Sequence, residues 1–266
     1  MRSRLTVALG RTARLAARVR GGGSGGTAFP GLVMERTDPG FLERTLSRLP
    51  RGVIVVSGTN GKTTTTKMVV QLLREQGLKV FTNRTGSNFV RGVLASLLTE
   101  VDAAGNLDAD IAVLELDEAH AVHFVARVRP RACLLLNVMR DQLDRFGEID
   151  YTASLLHSIA QATSDVVVLN GDDPRLAAPA FLEGVSARVV SFGAGEDLRS
   201  LFLSDDDLRT GLVSPRQAGQ APGPRVTLEA IDGQRATVRV DGVSHEVSFA
   251  IPGVHNLLNA CAALGV

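Results

Sequence analysis

The sequence predicts an α/β protein: a phosphate-loop type, mostly parallel sheet with helices on both faces, plus a small antiparallel β subdomain near the C-terminus. Three observations carry this reading. Short, uniformly apolar runs recur between residues 53 and 192, separated mostly by helical segments, as strands buried on both faces require. One of them, Val53 to Val56, breaks directly into GTNGKTTTT and a helix start. After residue 225 the pattern changes to strict apolar–polar alternation with turns at IDGQ and VDGV. A composition of 44% hydrophobic and 21% charged residues suits a globular chain, and a net charge of +1 gives no bulk attraction to nucleic acid.

The elements follow in order. The N-terminus, MRSRLTVALGRTARLAARVR, imitates a secretion signal, but arginines at 11, 14, 18 and 20 fall where a signal must be apolar. Leu5, Leu9, Leu15 and Val19 share part of a helix face, which fits either a solvated or docked helix or an arm resting on an anionic membrane surface. Residues 21–26, GGGSGG, form a flexible hinge, and residues 37–49 read as a short helix. Residues 1–49 are thus a basic arm, a hinge and a lead-in helix ahead of a central domain over 50–266. Strands are expected at 53–56, 79–82, 110–114, 132–137, 165–170 and 188–192, with helices at 63–76, 89–101 and 151–163 among them. Residues 193–225 read as a variable insert whose part from 205 to 224 is loop, and 226–251 read as hairpins. A last helix opens at Gly253 and stops at Val266 without a C-cap, which suggests a chain cut short. Cys133 and Cys261 sit in apolar surroundings with no CxxC spacing, so a reducing cytoplasm fits better than a disulfide framework or a zinc site. No apolar run reaches membrane-spanning length.

The turn after the first strand carries the clearest chemistry. A strand, a tight loop and a helix start present several backbone N–H groups and the positive end of a helix dipole, an anion cradle. Lys62 adds charge for outer phosphates, and the Thr63 hydroxyl suits a magnesium ion. The standard loop has a glycine where Val56 stands here, so the cradle is the shorter Gly58, Thr59, Asn60, Gly61, Lys62, Thr63, Thr64. A plain strand–helix turn is the alternative. The chain has only three lysines, Lys62, Lys67 and Lys79.

Glu115, Asp117 and Glu118 end the third strand, placed either to hold magnesium on a triphosphate or to form a solvated acidic turn. Asn137 ends the fourth, and Asp141 and Asp144 beyond it serve the metal, the substrate or the next helix start. Asn83, Arg84 and Asn88 suit a phosphate or carboxylate, although a plain loop would look similar. His255, Asn256 and Asn259 near the start of the last helix either contact a purine or cap the helix; His255 and Asn259 share a face. His120, His123, His157 and His245 have no metal-ligand spacing and read as structural or surface residues.

Taken jointly, GTNGKTT (58–64), TNRTGSN (82–88), LELDEAH (114–120), NVMRDQLDRFGE (137–148), LNGDDP (169–174) and GVHNLLNA (253–260) resemble the Mur ligase family over roughly residues 50–266. Within it, TNRTGSN, the DEA after the strand glutamate and RDQLDR look like the MurT branch, ligase-like subunits of lipid II isoglutaminyl synthase that pair with a GatD glutaminase. That resemblance implies ATP-dependent phosphorylation of the D-glutamate α-carboxyl in the lipid II stem peptide. Ammonia from a GatD-like amidotransferase partner would then give D-isoglutamine, in cytoplasmic cell-wall synthesis near the inner membrane face. It implies Lys62 and Glu115 as catalytic residues, and Thr63 and Glu115 as magnesium holders. His255 and Asn256 would lie near the adenine, and Asn83 and Arg84 near phosphates or the substrate carboxylate.

Three departures qualify the match. Gln142 stands where many members have histidine, no lysine follows Lys79 for carbamylation, and residues 193–225 lack the cysteines of a zinc ribbon, so no zinc is expected. The resemblance also implies a C-terminal ligase domain absent from this chain, leaving the fragment alone inactive in amidation. The alternatives are another Mur or folylpolyglutamate-type amino-acid ligase, or a non-catalytic ATP-binding scaffold. A guanine-specific GTPase would need an NKxD reader, which does not occur.

Overall fold

The computed structural model describes residues 2–19, 28–83, 88–140, 148–211, 225–249 and 252–266. Its centre is one nine-stranded sheet in the order β2-β3-β1-β4-β5-β6-β7-β8-β9. The strands are β1 (Val53–Ser57), β2 (Val80–Thr82), β3 (Ile111–Glu115), β4 (Ala132–Leu135), β5 (Val166–Asn170), β6 (Arg188–Ala194), β7 (Arg225–Asp232), β8 (Arg235–Val240) and β9 (Val243–Ser248). Every pairing from β2 through β7 is parallel, and β7–β8 and β8–β9 are antiparallel. The antiparallel strands extend the parallel sheet through β6–β7 instead of standing apart from it.

The helices are α1 (Arg2–Val19), α2 (Ala28–Thr37), α3 (Phe41–Leu46), α4 (Lys62–Glu75), α5 (Val90–Glu100), α6 (Glu118–Val125), α7 (Glu148–Ala162), α8 (Asp205–Thr210) and α9 (Val254–Leu264). Alternate residues of each central strand enter opposite cores, as the two-residue repeat demands. Val53, Val55, Leu114, Cys133, Leu135 and Leu169 join Leu94, Leu97, Phe124 and Ile159 of α5, α6 and α7. Ile54, Val56, Val113, Leu134 and Val168 join Val69 and Val70 of α4 and Leu257 and Cys261 of α9. Burial pushes both thiols, Cys133 and Cys261, up to about 12, so neither is a reactive thiolate near neutrality.

Several expectations are corrected. The lead-in helix expected over 37–49 is the shorter α3, and a helix that was not expected, α2, precedes it; Asp38 turns the chain between them, its N–H bonding the Met34 carbonyl and its carbonyl accepting the Phe41 N–H. The stretch from 205, read as loop, opens with α8, closed at its start by a reciprocal Ser204–Asp207 capping box. The last helix ends at Leu264, where the Gly265 N–H bonds Ala262. Where the sequence left α1 open between a solvated or docked helix and a membrane arm, Thr6, Val7, Gly10 and Ala13 face the body and Leu5, Leu9, Leu15 and Val19 point outward. Arg84, Asp141, Gln142 and Asp144, like the expected hinge at 21–26, lie outside the described residues.

Candidate functional site

The order β2-β3-β1-β4-β5 reverses direction at β1, so the loops leaving β1 and β4 diverge there and open a crevice at the carboxyl ends of the strands. The loop 58–61 lies in that crevice. Gly61 has φ of 87° and forms the N-cap of α4, a left-handed turn that aims the helix start into the opening. The first turn of α4 has N–H groups with no partner inside the helix, as every helix start does.

The loop is braced from β4. The Thr59 N–H bonds the Asn137 carbonyl at 3.0 Å, and the Asn60 N–H bonds Asn137 Oδ1 at 2.8 Å. Asn137 Nδ2 returns a bond to the Asn60 carbonyl, and the Met139 N–H bonds Thr59 Oγ1 at 3.0 Å. Thr59 and Asn60 therefore use their backbone N–H groups to hold the loop, leaving the anion-facing donors to the start of α4. Asn137 is in turn fixed by Asp173, whose carboxylate accepts from the N–H of Val138 at 2.7 Å and of Arg175 and Leu176 at 2.9 and 3.2 Å. Burial pushes the Asp173 carboxyl above its ordinary value, against the opposing pull of those three N–H groups.

The carboxylates after β3 divide their work. Glu115 Oε1 accepts the Thr63 hydroxyl at 2.8 Å. Asp117 caps α6, accepting from the Ala119 N–H. Glu118 lies 3.8 Å from Lys62 Nζ, which also folds back onto the carbonyls of Gly58 and Thr59. Thr64 is half-buried in the first turn of α4. Asn83 is buried and grips the backbone of Glu115 from both sides: its Nδ2 donates to the Glu115 carbonyl at 2.8 Å, and its Oδ1 accepts the Glu115 N–H at 2.9 Å. That amide positions Glu115, and its polar atoms are engaged in doing so. Asn88 likewise uses its carbonyl to hold the Asp117 N–H.

On the other side of the loop is a cavity of about 390 Å³, lined by Gly61, Asn137, Phe202, Asp205, His255 and Asn259 among others. Its size suits a small ligand. Asn259 reaches the loop itself, since a Cβ on Gly61 would stand 2.7 Å from Asn259 Oδ1. The His255 ring meets Phe202 edge to face, centroids 5.9 Å apart. Asn256 does not line this cavity; its amide donates to the Pro252 carbonyl at 2.7 Å and holds the helix start, the capping alternative. Sequence reasoning missed Phe202, Asp173 and Asp205 as site residues. LNGDDP and the Ser204–Asp207 spacing were the available signals for the last two.

A family model described as the Mur ligase middle domain matches residues 56–266. The chain belongs to the Mur ligase family. It is 37% identical over 150 residues to the lipid II isoglutaminyl synthase (glutamine-hydrolyzing) subunit MurT of Streptococcus pneumoniae, covering 56% of this chain and 33% of that one. It is 31% identical over 215 residues to the UDP-N-acetylmuramoylalanine–D-glutamate ligase of Geotalea daltonii, covering 80% of this chain and 39% of that one. The chain thus spans well under half the length of these Mur ligase relatives. In fold it resembles the Mur ligase MurF of Thermotoga maritima, solved in complex with ADP, with a TM-score of 0.60 and 21% identity over 85% of this chain and 48% of that one. Members of the Mur ligase family are ATP-dependent ligases. Among the described residues no helix is long and apolar enough to cross a membrane.

Proposed function

We propose that this chain is the ATP-binding portion of an amide-forming ligase of peptidoglycan synthesis, of the MurT kind, working with a GatD-like glutamine amidotransferase. The observation that carries the reading is the convergence of Thr63 Oγ1 and Glu115 Oε1 at 2.8 Å beside Lys62, at the start of a helix. The likeness to the MurT of Streptococcus pneumoniae supports the choice of reaction within the family.

The helix start and Lys62 would bind the triphosphate, with the Lys62 ammonium moving from the Gly58 and Thr59 carbonyls to phosphate oxygens. Thr63 and Glu115 offer hard oxygen donors that fit magnesium, which would neutralise charge on the phosphates. Phe202, His255 and Asn259 would enclose the base. The γ-phosphoryl passes to an oxygen of the D-glutamate α-carboxylate of lipid II, and ADP leaves. Ammonia attacks the carbonyl carbon of that acyl phosphate, the carbon–oxygen bond to phosphate breaks, and nitrogen loses a proton as D-isoglutamine forms. A carboxylate resists attack until phosphate gives it a leaving group, which explains the need for ATP.

A second reading, ligation of an amino acid in place of ammonia, draws on the likeness to the D-glutamate ligase of Geotalea daltonii. The test is the full-length protein with its amidotransferase partner, lipid II, ATP and either isotope-labelled glutamine or free amino acids. Label from the glutamine amide in the product, lost in Lys62→Ala and Thr63→Ala, is the expected result. Incorporation of an amino acid, or normal amidation by either variant, overturns the proposal.

A further inference from the structure

The N-terminal helix has two unlike sides. Towards the body it presents small residues: a Cβ on Gly10 would already touch Leu98 and Met34 at 3.0 Å, and Val7 and Ala13 are buried beside it. Polar bonds fix this docking, with Arg11 donating to the Val101 carbonyl at 2.9 Å and Thr6 to Asp38 at 3.4 Å. Away from the body the same helix exposes Leu5 (62%), Leu9, Leu15 (63%) and Val19 (80%), together with Ala8 and Ala16. A helix tied down by its small-residue side therefore holds an apolar stripe in solvent, about 100° per residue placing these side chains on one outer face.

Charge decides what fits that stripe. Six of the 29 basic residues, Arg2, Arg4, Arg11, Arg14, Arg18 and Arg20, lie in the first 20 positions, and none of the 28 acidic residues precedes Glu35. Arg4 and Arg11 stand at the rim of the exposed stripe. An apolar face rimmed by arginine and free of carboxylates in sequence matches an anionic bilayer surface, where leucines enter the acyl boundary and guanidinium groups meet phosphates. A protein partner would need an apolar groove with an acidic rim.

We propose that α1 is a membrane-surface contact, holding the domain flat against anionic lipid through Leu5, Leu9, Leu15 and Val19, with exposed Arg4 at the edge of the stripe meeting the phosphates. The inference stands independently of the proposed reaction, although a lipid-borne substrate would suit it. The test is cosedimentation of the full chain with vesicles of phosphatidylcholine alone, or of phosphatidylcholine with phosphatidylglycerol. Binding is expected only to the anionic vesicles, weakened at about 0.5 M salt. The exposed double variant Leu5→Gln/Leu15→Gln should lose on the order of tenfold in affinity, with an unchanged melting temperature as the folding control. Equal binding to both vesicle types, no binding to either, or wild-type binding by the double variant overturns it. So does capture of the stripe by a protein partner with no vesicle binding.

Discussion

Thr63 and Glu115 stand 52 positions apart in the chain, yet the hydroxyl of one donates to the carboxylate of the other across 2.8 Å. The sheet makes this contact. β1 and β3 are adjacent and parallel, in a register that sets Val56 beside Glu115, so the loop after β1 rises next to the end of β3. A hydroxyl and a carboxylate held together in this way form a unit that a cation can share.

Residues acting as a unit are non-additive when removed. Thr63→Val and Glu115→Gln are each expected to weaken magnesium-dependent ATP binding, and the double variant to fall short of the sum by about 0.5–3 kcal/mol. Calorimetric titration of ATP with and without magnesium measures the cycle. Strict additivity would show that the two residues act separately.

Asn83 is expected to matter through Glu115. Asn83→Ala leaves a buried N–H and a buried carbonyl of Glu115 without their partner, at a cost of about 1–3 kcal/mol for each group. The urea midpoint should fall at constant slope, and the magnesium requirement for nucleotide binding should rise with it. An unchanged midpoint would mean that other groups position Glu115.

The parts of this site legible in the sequence were the local ones. The apolar runs at 53–56 and 165–170 announced strands buried on both faces, and GTNGKTT is contiguous, so its turn and helix start needed no tertiary information. The brace behind the loop was hidden because Asn60 and Asn137 are 77 positions apart and Val138 and Asp173 are 35 apart. Asn256 offered an amide that suits a base or a helix start, and its bond to the Pro252 carbonyl at the helix start is a tertiary detail that the sequence does not carry. The helix α8 was legible in principle: Ser204 and Asp207 have capping-box spacing, but the charged run around them reads as loop. The exposed leucines of α1 share a face in the sequence, and only packing shows that the opposite face is the docked one.

Gly61→Ala tests the left-handed turn. A φ of 87° costs a residue with a Cβ about 1–2 kcal/mol, and the added carbon would meet Asn259 Oδ1 at 2.7 Å. Stability and ATP binding should both fall. Adding Asn259→Ala removes the clash but not the backbone cost, so partial recovery of stability is expected in thermal unfolding. Full recovery would assign the effect to crowding alone.

Asp173 should give the fold a pH signature. Burial raises its carboxyl above the ordinary 3.8, so the folded state takes up that proton more readily than the unfolded chain. Its contribution to stability is full below the ordinary value and is lost as pH rises through the raised folded value. The stability of the wild type relative to Asp173→Asn should therefore decline from acid pH towards neutrality. Urea unfolding across that window measures the difference, and a gap that widens with rising pH contradicts the sign.

The two halves of the proposed nucleotide site should separate by ligand. Phe202 and His255 meet edge to face in the cavity beside the loop, whereas Lys62 opens α4 and folds back onto the loop carbonyls. Phe202→Ala removes an aromatic contact worth about 0.5–1.5 kcal/mol, so ATP affinity should fall about two- to tenfold. Inorganic tripolyphosphate has no base to lose, and its affinity should not change in that variant. Lys62→Ala should weaken both ligands, because it removes charge from the shared phosphates. Competition between ATP and tripolyphosphate, measured for the two variants side by side, distinguishes a base pocket from a second phosphate site. Equal loss of both ligands in Phe202→Ala would show that the cavity is not where the base lies.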